Sequence, residues 1–203
     1  MAILGVPREI RGLVVKHTTD IDMKNAHPVL LVYLCKLYSY ACPEVQYCVN
    51  NREAILSQMP DRNEGKILYL EAMNKNKITP EIKAFSKEVI KLLETVGGKT
   101  WNKSGSFLNK CLCITKTFFL QQVRSFLKFN DYIIRFLAFD GVMIDGDHYN
   151  DKALLIDIDN DVNAKFEGLN MEFDFKEHDD TLVIPDEFKI DEKIKTPEIV
   201  GIM

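Results

Sequence analysis

Asp20 and Asp22 stand two residues apart at the end of Leu13–Asp22, where the β-branched Val14, Val15, Thr18 and Thr19 predict a strand running into a turn. Side chains two apart on a strand point the same way, so both carboxylates face one side at the strand end. Mg²⁺ takes hard oxygen ligands, keeps several waters and needs few protein groups. A third acid, Asp140, lies between the apolar runs 132–139 and 142–145, and Asp140-Gly141 favours a tight type I′ hairpin turn. If that hairpin pairs beside the first strand, Asp22 and Asp140 meet at one edge. Two such carboxylates could hold two metal ions for in-line displacement at phosphorus. Plainer roles stand beside these: Asp-Gly is good turn chemistry in its own right, Asp20 and Asp22 could cap a turn or helix with help from Asn25, and His27 could simply start the helix at Pro28.

Arg62, Lys66, Leu70 and Asn74 recur every four residues, which places them on one slowly drifting helix stripe. Arg62 and Lys66 fall in the first turns, where a helix N-terminus already favours anions. They could grip a triphosphate, with Leu70 and Asn74 facing a base further along. A solvated basic face is the other reading.

The elements that would position these residues follow in order. After Pro28 the run VLLVYLCKLYSY predicts a buried helix, broken at Cys42-Pro43. Residues 51–58 predict a short helix behind an asparagine cap, and 61–75 a second, capped by Asp61. Thr79-Pro80-Glu81 opens another, with Ile82, Phe85, Val89, Ile90 and Leu93 at helical spacing and Gly97-Gly98 at its end. A long helix is expected from about Phe107 to Phe129, then the hairpin, then a helix over 148–167 stopped by Gly168. The alternating run 169–175 and the run 181–184 predict two strands. Strands mixed with helices in this order make an α+β protein, an antiparallel sheet with helices on one face.

The chain has 203 residues, 46% of them apolar and 28% charged, a balance that excludes a disordered or collagen-like chain. No apolar run approaches a bilayer span, and the arginines of MAILGVPREIRG follow a short apolar stretch, the reverse of a signal peptide. Five cysteines, without a C-x-x-C pair, argue against a disulfide framework or zinc knuckle and fit a reducing compartment, cytoplasmic or nuclear. The net charge of −4 is unevenly spread. Residues 1–130 carry 19 Lys and Arg against 11 Asp and Glu, whereas residues 131–203 carry 7 against 19. A basic first part suits a polyanionic partner, because phosphate neutralisation releases counterions. Asp157, Asp159, Asp161 and Asn163 start like a calcium loop, but Val162 and Gly168 occupy the positions of its glycine and closing glutamate. GGKTWNKSG lacks P-loop spacing.

The ordered set of motifs resembles the palm and fingers of a DNA polymerase. Asp22-Met-Lys-Asn25-Ala-His27-Pro28 is similar to polymerase motif A, which in family B reads D-x-x-S-L-Y-P. Arg62, Lys66, Leu70 and Asn74 resemble family A motif B, R-x-x-x-K-x-x-x-F-x-x-x-Y, with Leu70 and Asn74 where the family has aromatic residues. Asp140 in its hairpin resembles motif C, here with a single acid. The segment with Lys103, Ser104, Gly105, Ser106 and Asn109 resembles the helix that precedes motif C. The nearest likeness is to the transposon-and-virus branch of family A-like polymerases, often fused to a superfamily 3 helicase. It rests on Ile21 to Pro28, Gly105 to Cys113 and Phe139 to Gly141, and it spans roughly residues 8–185.

The resemblance implies a polymerase-type palm from residues 1–28 and 104–185, a helical fingers-like insertion over 29–103 with motif B at 62–74, and a tail over 186–203. It implies template-directed DNA synthesis from deoxynucleoside triphosphates on a DNA template-primer, by a fragment or minimal form of such an enzyme, with a helicase or other replication subunit as a further partner. Asp22 and Asp140 would be catalytic and hold two Mg²⁺ ions, the Met23 carbonyl joining them. Arg62, Lys66, Asn25 and Asn74 would bind nucleotide, and His27 would exclude a 2′-hydroxyl. Lys99, Lys103 and Asn109 would follow the nucleic acid. The alternative is a catalytically inactive nucleic-acid-binding subunit of a replication complex.

Overall fold

The computed structural model describes residues 17–74, 78–96, 103–138 and 140–177, without the side chains of 93–96, 103–107 and 138. Of the strand expected over 13–22, residues 13–16 lie outside the described residues, and the rest is found as β1, Thr18–Met23. Among the described residues seven α-helices follow or intervene: α1 (Ala26–Leu37), α2 (Pro43–Asn50), α3 (Arg52–Ser57), α4 (Arg62–Asn74), α5 (Lys83–Val96), α6 (Lys103–Phe129) and α7 (Lys152–Lys165). The hairpin is β2 (Ile134–Ala138) and β3 (Gly141–Asp145), and β4 is Phe173–Lys176. Residues 17–177 form one compact unit. The expected strand over 181–184 and the tail lie outside the described residues.

The sheet order is β2-β3-β1-β4, with every neighbouring pair antiparallel. β1 and β2 therefore run parallel with β3 between them, and β3 and β4 run parallel with β1 between them. This is the split β-α-β-β-α-β arrangement, which hosts many unrelated functions. The α+β class and the antiparallel sheet expected from the sequence are present. Among the described residues, no helix is long and apolar enough to cross a membrane.

Alternation along β1 decides its faces. Thr19, Ile21 and Met23 are buried, and Ile21 packs with Val142 and Ile144 of β3, Phe173 of β4 and the apolar stripes of α6 and α7. On α6 those buried positions are Leu108, Leu112, Phe119, Leu120, Val123 and Leu127, the helical spacing that the sequence shows. α6 begins at Lys103, four residues before its expected start. Asp20 and Asp22 take the opposite face of β1.

Several expected boundaries move. α2 is a helix that the reading above did not include; Pro43 opens it, and its Val45 N–H donates to Glu88 of α5 at 2.6 Å. Asn51 does not cap α3 with its side chain, which donates instead to the Tyr47 carbonyl at 2.9 Å. Asp61 does cap α4, accepting from the backbone of Asn63 and Glu64 at 2.6 and 3.0 Å. α7 starts at Lys152 behind an Asp151 cap, and Gly168, at φ 85, follows its end. β4 is shorter than the alternating run because Asn163 brackets Met171, accepting from its N–H and donating to its carbonyl at 2.8 Å each.

Asp159 of α7 fixes the start of β4 by accepting from the Phe173 N–H at 2.9 Å. Burial pushes its carboxyl up to about 6, the Phe173 N–H and Lys24 oppose this, and the Glu172 and Asp174 carboxylates add to it. A carboxyl raised in the folded state contributes stability at low pH that is lost as pH rises through its folded pKa, here from about 4 to about 6. Asn in its place still accepts the Phe173 bond and carries no charge to desolvate. Asp159→Asn is therefore expected to melt higher at pH 7.5. Discounting for its half-exposed position, the gain is about 1 kcal/mol, or about 2–4 °C, and it shrinks toward pH 5. Thermal melts at the two pH values check this; an equal gain at both, or a loss, contradicts it.

Candidate functional site

The site forms where β1 ends. Across the hairpin Ala138 pairs with Gly141, so this glycine is part of the ladder and not of the turn expected at Asp140-Gly141. Gly141 lies in β3 opposite Asp22, and its φ is not positive. What the glycine supplies there is room. A Cβ at this position would meet Asp20 Oδ1 at 2.9 Å, Asp22 Oδ1 at 3.1 Å and the Ile21 carbonyl at 3.1 Å. Both carboxylates thus lean over one bare patch of backbone, the close approach that glycine permits. The hairpin tip is tied to the strand end by the Met23 N–H donating to the Asp140 carbonyl at 3.0 Å.

Asp140, next to Gly141 in the chain, brings its carboxylate against that of Asp22. Burial raises the Asp22 carboxyl above the usual carboxylate range; the Lys176 ammonium opposes this, and the charge and a shared hydrogen bond of Asp140 add to it. Lys176 Nζ stands 2.7 Å from Asp22 Oδ2. Asp174, directly opposite Asp22 on β4, is paired with Lys24 at 3.7 Å, and Lys24 also reaches Glu172 at 3.5 Å.

Beyond Met23 the chain turns sharply. Asn25 takes a left-handed conformation, φ 50, and α1 starts at Ala26, which puts His27 in its first turn. Burial, then the charge of Lys116, pulls the His27 imidazole below its usual pKa, with Asp140 opposing. Its Nδ1 is buried without a hydrogen-bond partner. Such a group is costly to bury unpaired.

A cleft of about 670 Å³ opens above these groups. Asp22, Asp140, Asn25, His27 and Lys176 line its sheet side, and Arg52, Lys66, Tyr69 and Leu70 line the side formed by α3 and α4. Lys116 of α6 also reaches it. Burial, then the charges of Arg62 and Arg52, holds the Lys66 ammonium below its ordinary pKa. The sheet wall thus carries Asp22, Asp140 and Asp174 with Lys24 and Lys176 among them, and the facing wall carries Arg52 and Lys66, so the cleft can take a group with a cation at the acids and anionic oxygens at the bases.

The structure gathers the expected residues unevenly. Asp22, Asp140, Asn25, His27 and Lys66 share the cleft. Met23 borders it through its backbone, while its side chain is in the core. Arg62 is held elsewhere: its guanidinium pairs with Glu53 of α3 at 2.7 Å and lines a neighbouring cleft of about 580 Å³. Asn74 ends α4 and is not among the lining residues. Asn109 is half-buried on α6, its side-chain carbonyl accepting from the Cys113 thiol at 3.7 Å. Lys103 begins α6, and Lys99 lies outside the described residues. Arg52, Lys116 and Lys176 join the site without having been singled out by sequence. Only Lys176 left a trace there, as the continuation of the alternation through Glu172 and Asp174.

For Mg²⁺ the donor chemistry fits: adjoining carboxylates of Asp22 and Asp140, with Asp20 beside them, are hard oxygen donors whose mutual repulsion a cation relieves. Among the described residues no group of three or more His, Cys, Asp or Glu side chains is arranged to hold a metal unaided. One or two carboxylates with water and substrate phosphates are the customary Mg²⁺ shell. No known protein family, curated protein or solved structure matches the chain.

Proposed function

We propose that this cleft performs nucleotidyl transfer in template-directed DNA synthesis, with a primer 3′-hydroxyl attacking the α-phosphorus of a deoxynucleoside triphosphate. On this reading residues 1–28 and 104–185 are a polymerase-type palm and 29–103 a fingers-like insertion. The observation that carries it is that Asp22 and Asp140 line one cleft together with Lys66 and Arg52. Asp22 and Asp140, with the Met23 carbonyl, would hold two Mg²⁺ ions. Bound there, the metal lowers the pKa of the attacking hydroxyl and neutralises leaving phosphates. Lys66 and Arg52 neutralise the β- and γ-phosphates from the opposite wall. Asn25 and the neutral imidazole of His27 lie beside the sugar, where a ring crowds out a 2′-hydroxyl. Lys116 and the basic start of α6, with Lys99 and Lys103, follow the template-primer backbone and supply affinity without sequence information. Arg62 moves from the nucleotide grip to the adjacent cleft.

Lys66→Ala is the test of the phosphate grip. Phosphate contacts strengthen as charge builds on the leaving group, so the variant should raise KM for the triphosphate and lower kcat. Together these cost roughly 10–100-fold in kcat/KM, about 1.4–2.8 kcal/mol. Template-primer affinity should stay unchanged. Steady-state kinetics and duplex binding check this, and a collapse of duplex affinity with intact KM contradicts it.

A second reading, a catalytically idle nucleic-acid-binding subunit, draws on the ion pair between Lys176 and Asp22. An acid already neutralised by its own chain is what such a remnant would retain.

A further inference from the structure

Lys176 is the group that neither the motifs nor the polymerase reading uses, yet it lies against the central acid. In the sheet it stands directly opposite Asp20 and diagonal to Asp22, and its ammonium reaches Asp22 Oδ2 at 2.7 Å. The backbone at this point is anchored. The Tyr149 hydroxyl donates to the Lys176 carbonyl at 3.1 Å, and the Tyr149 ring packs edge-on against Phe175, with centroids 5.8 Å apart. The side chain is not anchored in the same way, being 47% exposed at the mouth of the cleft. A four-carbon stem on a fixed Cα can swing its charge by several ångströms at little cost.

Among the described residues, the neighbouring charges direct this ammonium to Asp22. Lys24 takes Glu172 and Asp174, so the acid facing Asp22 across β4 is already balanced. Of the other carboxylates, Asp20 and Asp22 are drawn together over Gly141, Asp140 adjoins Asp22, and all three act on Lys176. Adjoining carboxylates are unfavourable without a cation among them. We propose that Lys176 is a built-in, exchangeable counter-ion: its ammonium holds the place of a divalent cation on Asp22 and yields it when the cation binds. The proposal deepens the reading of Asp22 and Asp140 as cation-holding residues and rests on it.

Competition of this kind lowers apparent affinity by the fraction of time that the site is open. An ammonium engaged about nine-tenths of the time weakens divalent binding about tenfold. The same exchange frees a positive charge inside the cleft at the moment when a phosphate chain accompanies the metal.

Mn²⁺ titration of the full chain, followed by the electron paramagnetic resonance signal of the free ion, tests this without any turnover. Lys176→Met and Lys176→Gln are expected to bind Mn²⁺ about tenfold tighter than the parent chain. Lys176→Arg, which keeps the charge, should stay within about twofold, and Asp22→Asn should lose the site. Using two neutral variants guards against one that folds poorly, and circular dichroism of each confirms the fold. Unchanged or weaker Mn²⁺ binding in both folded neutral variants, with binding in the parent that Asp22→Asn removes, overturns the counter-ion role alone. Absence of Asp22-dependent binding in parent and neutral variants alike overturns the cation-holding reading as well.

Discussion

Asp140→Asn is expected to abolish nucleotide incorporation, by at least about 10³-fold or roughly 4 kcal/mol of transition-state stabilisation, while leaving the fold intact. The separation of effects follows from how the residue is used. Its backbone carbonyl accepts from the Met23 N–H and pins the hairpin tip to β1, and that bond survives any side-chain change. Its carboxylate works against stability, since it adds to the strain on the Asp22 carboxyl. Asn matches the shape, suits a loop position and carries no charge, so the melting temperature should hold or rise slightly. What it cannot do is share a divalent cation with Asp22. Single-nucleotide extension by the purified variant, beside a thermal melt, reads both quantities. Extension within tenfold of the parent chain contradicts the role of Asp140, and a large loss of stability contradicts the account of the hairpin.

Gly141→Ala carries the second large effect, from a residue with no side chain. The added Cβ would lie 2.9 Å from Asp20 Oδ1 and 3.1 Å from both Asp22 Oδ1 and the Ile21 carbonyl. The backbone angles are open to alanine, because φ here is not positive. Elsewhere such a change gains about 0.4–1 kcal/mol by restricting the unfolded chain. Here the two carboxylates must move apart to make room. Incorporation should fall about 100-fold, about 2.7 kcal/mol, with a melting temperature changed by only a few degrees. The variant thus tests whether the geometry over Gly141, and not merely the presence of acids, matters. Full activity in Gly141→Ala would show that Asp20 and Asp22 need not converge there.

The parts of this site that were legible in sequence are those governed by local periodicity. Two-residue spacing put Asp20 and Asp22 on one face, and the apolar runs around Asp140 declared a hairpin. The long helix expected from about Phe107 to Phe129 buries Leu112, Phe119, Val123 and Leu127, which recur at helical spacing. At Gly141 the Asp-Gly pair predicts a turn, whereas the glycine stands in β3 and leaves room for the Asp20 and Asp22 carboxylates, a demand that turn chemistry hides.

Other parts depend on register and tertiary packing, which spacing does not reveal. Lys176 reaches Asp22 only because α7 and the Asn163 and Asp159 brackets set β4 against β1 with Asp20 opposite Lys176. Arg62 shares a helical stripe with Lys66, yet Glu53 on the short α3 captures it and turns it toward the second cleft. Arg52, the first residue of a six-residue helix, pairs with the same Glu53 at 2.9 Å, and the packing of α3 beside α4 leaves it lining both clefts, the one it shares with Lys66 included.

The central claim is that this cleft joins nucleotides under the direction of a template. Its most direct test is single-nucleotide extension of a recessed DNA primer in Mg²⁺, with each deoxynucleoside triphosphate supplied alone and the first template base varied through all four. The account predicts that the complementary nucleotide is added, that its identity changes with the template base, and that Asp22→Asn, folded as the parent, adds none. A folded parent chain that adds no nucleotide, or whose choice of nucleotide ignores the template base, would contradict it.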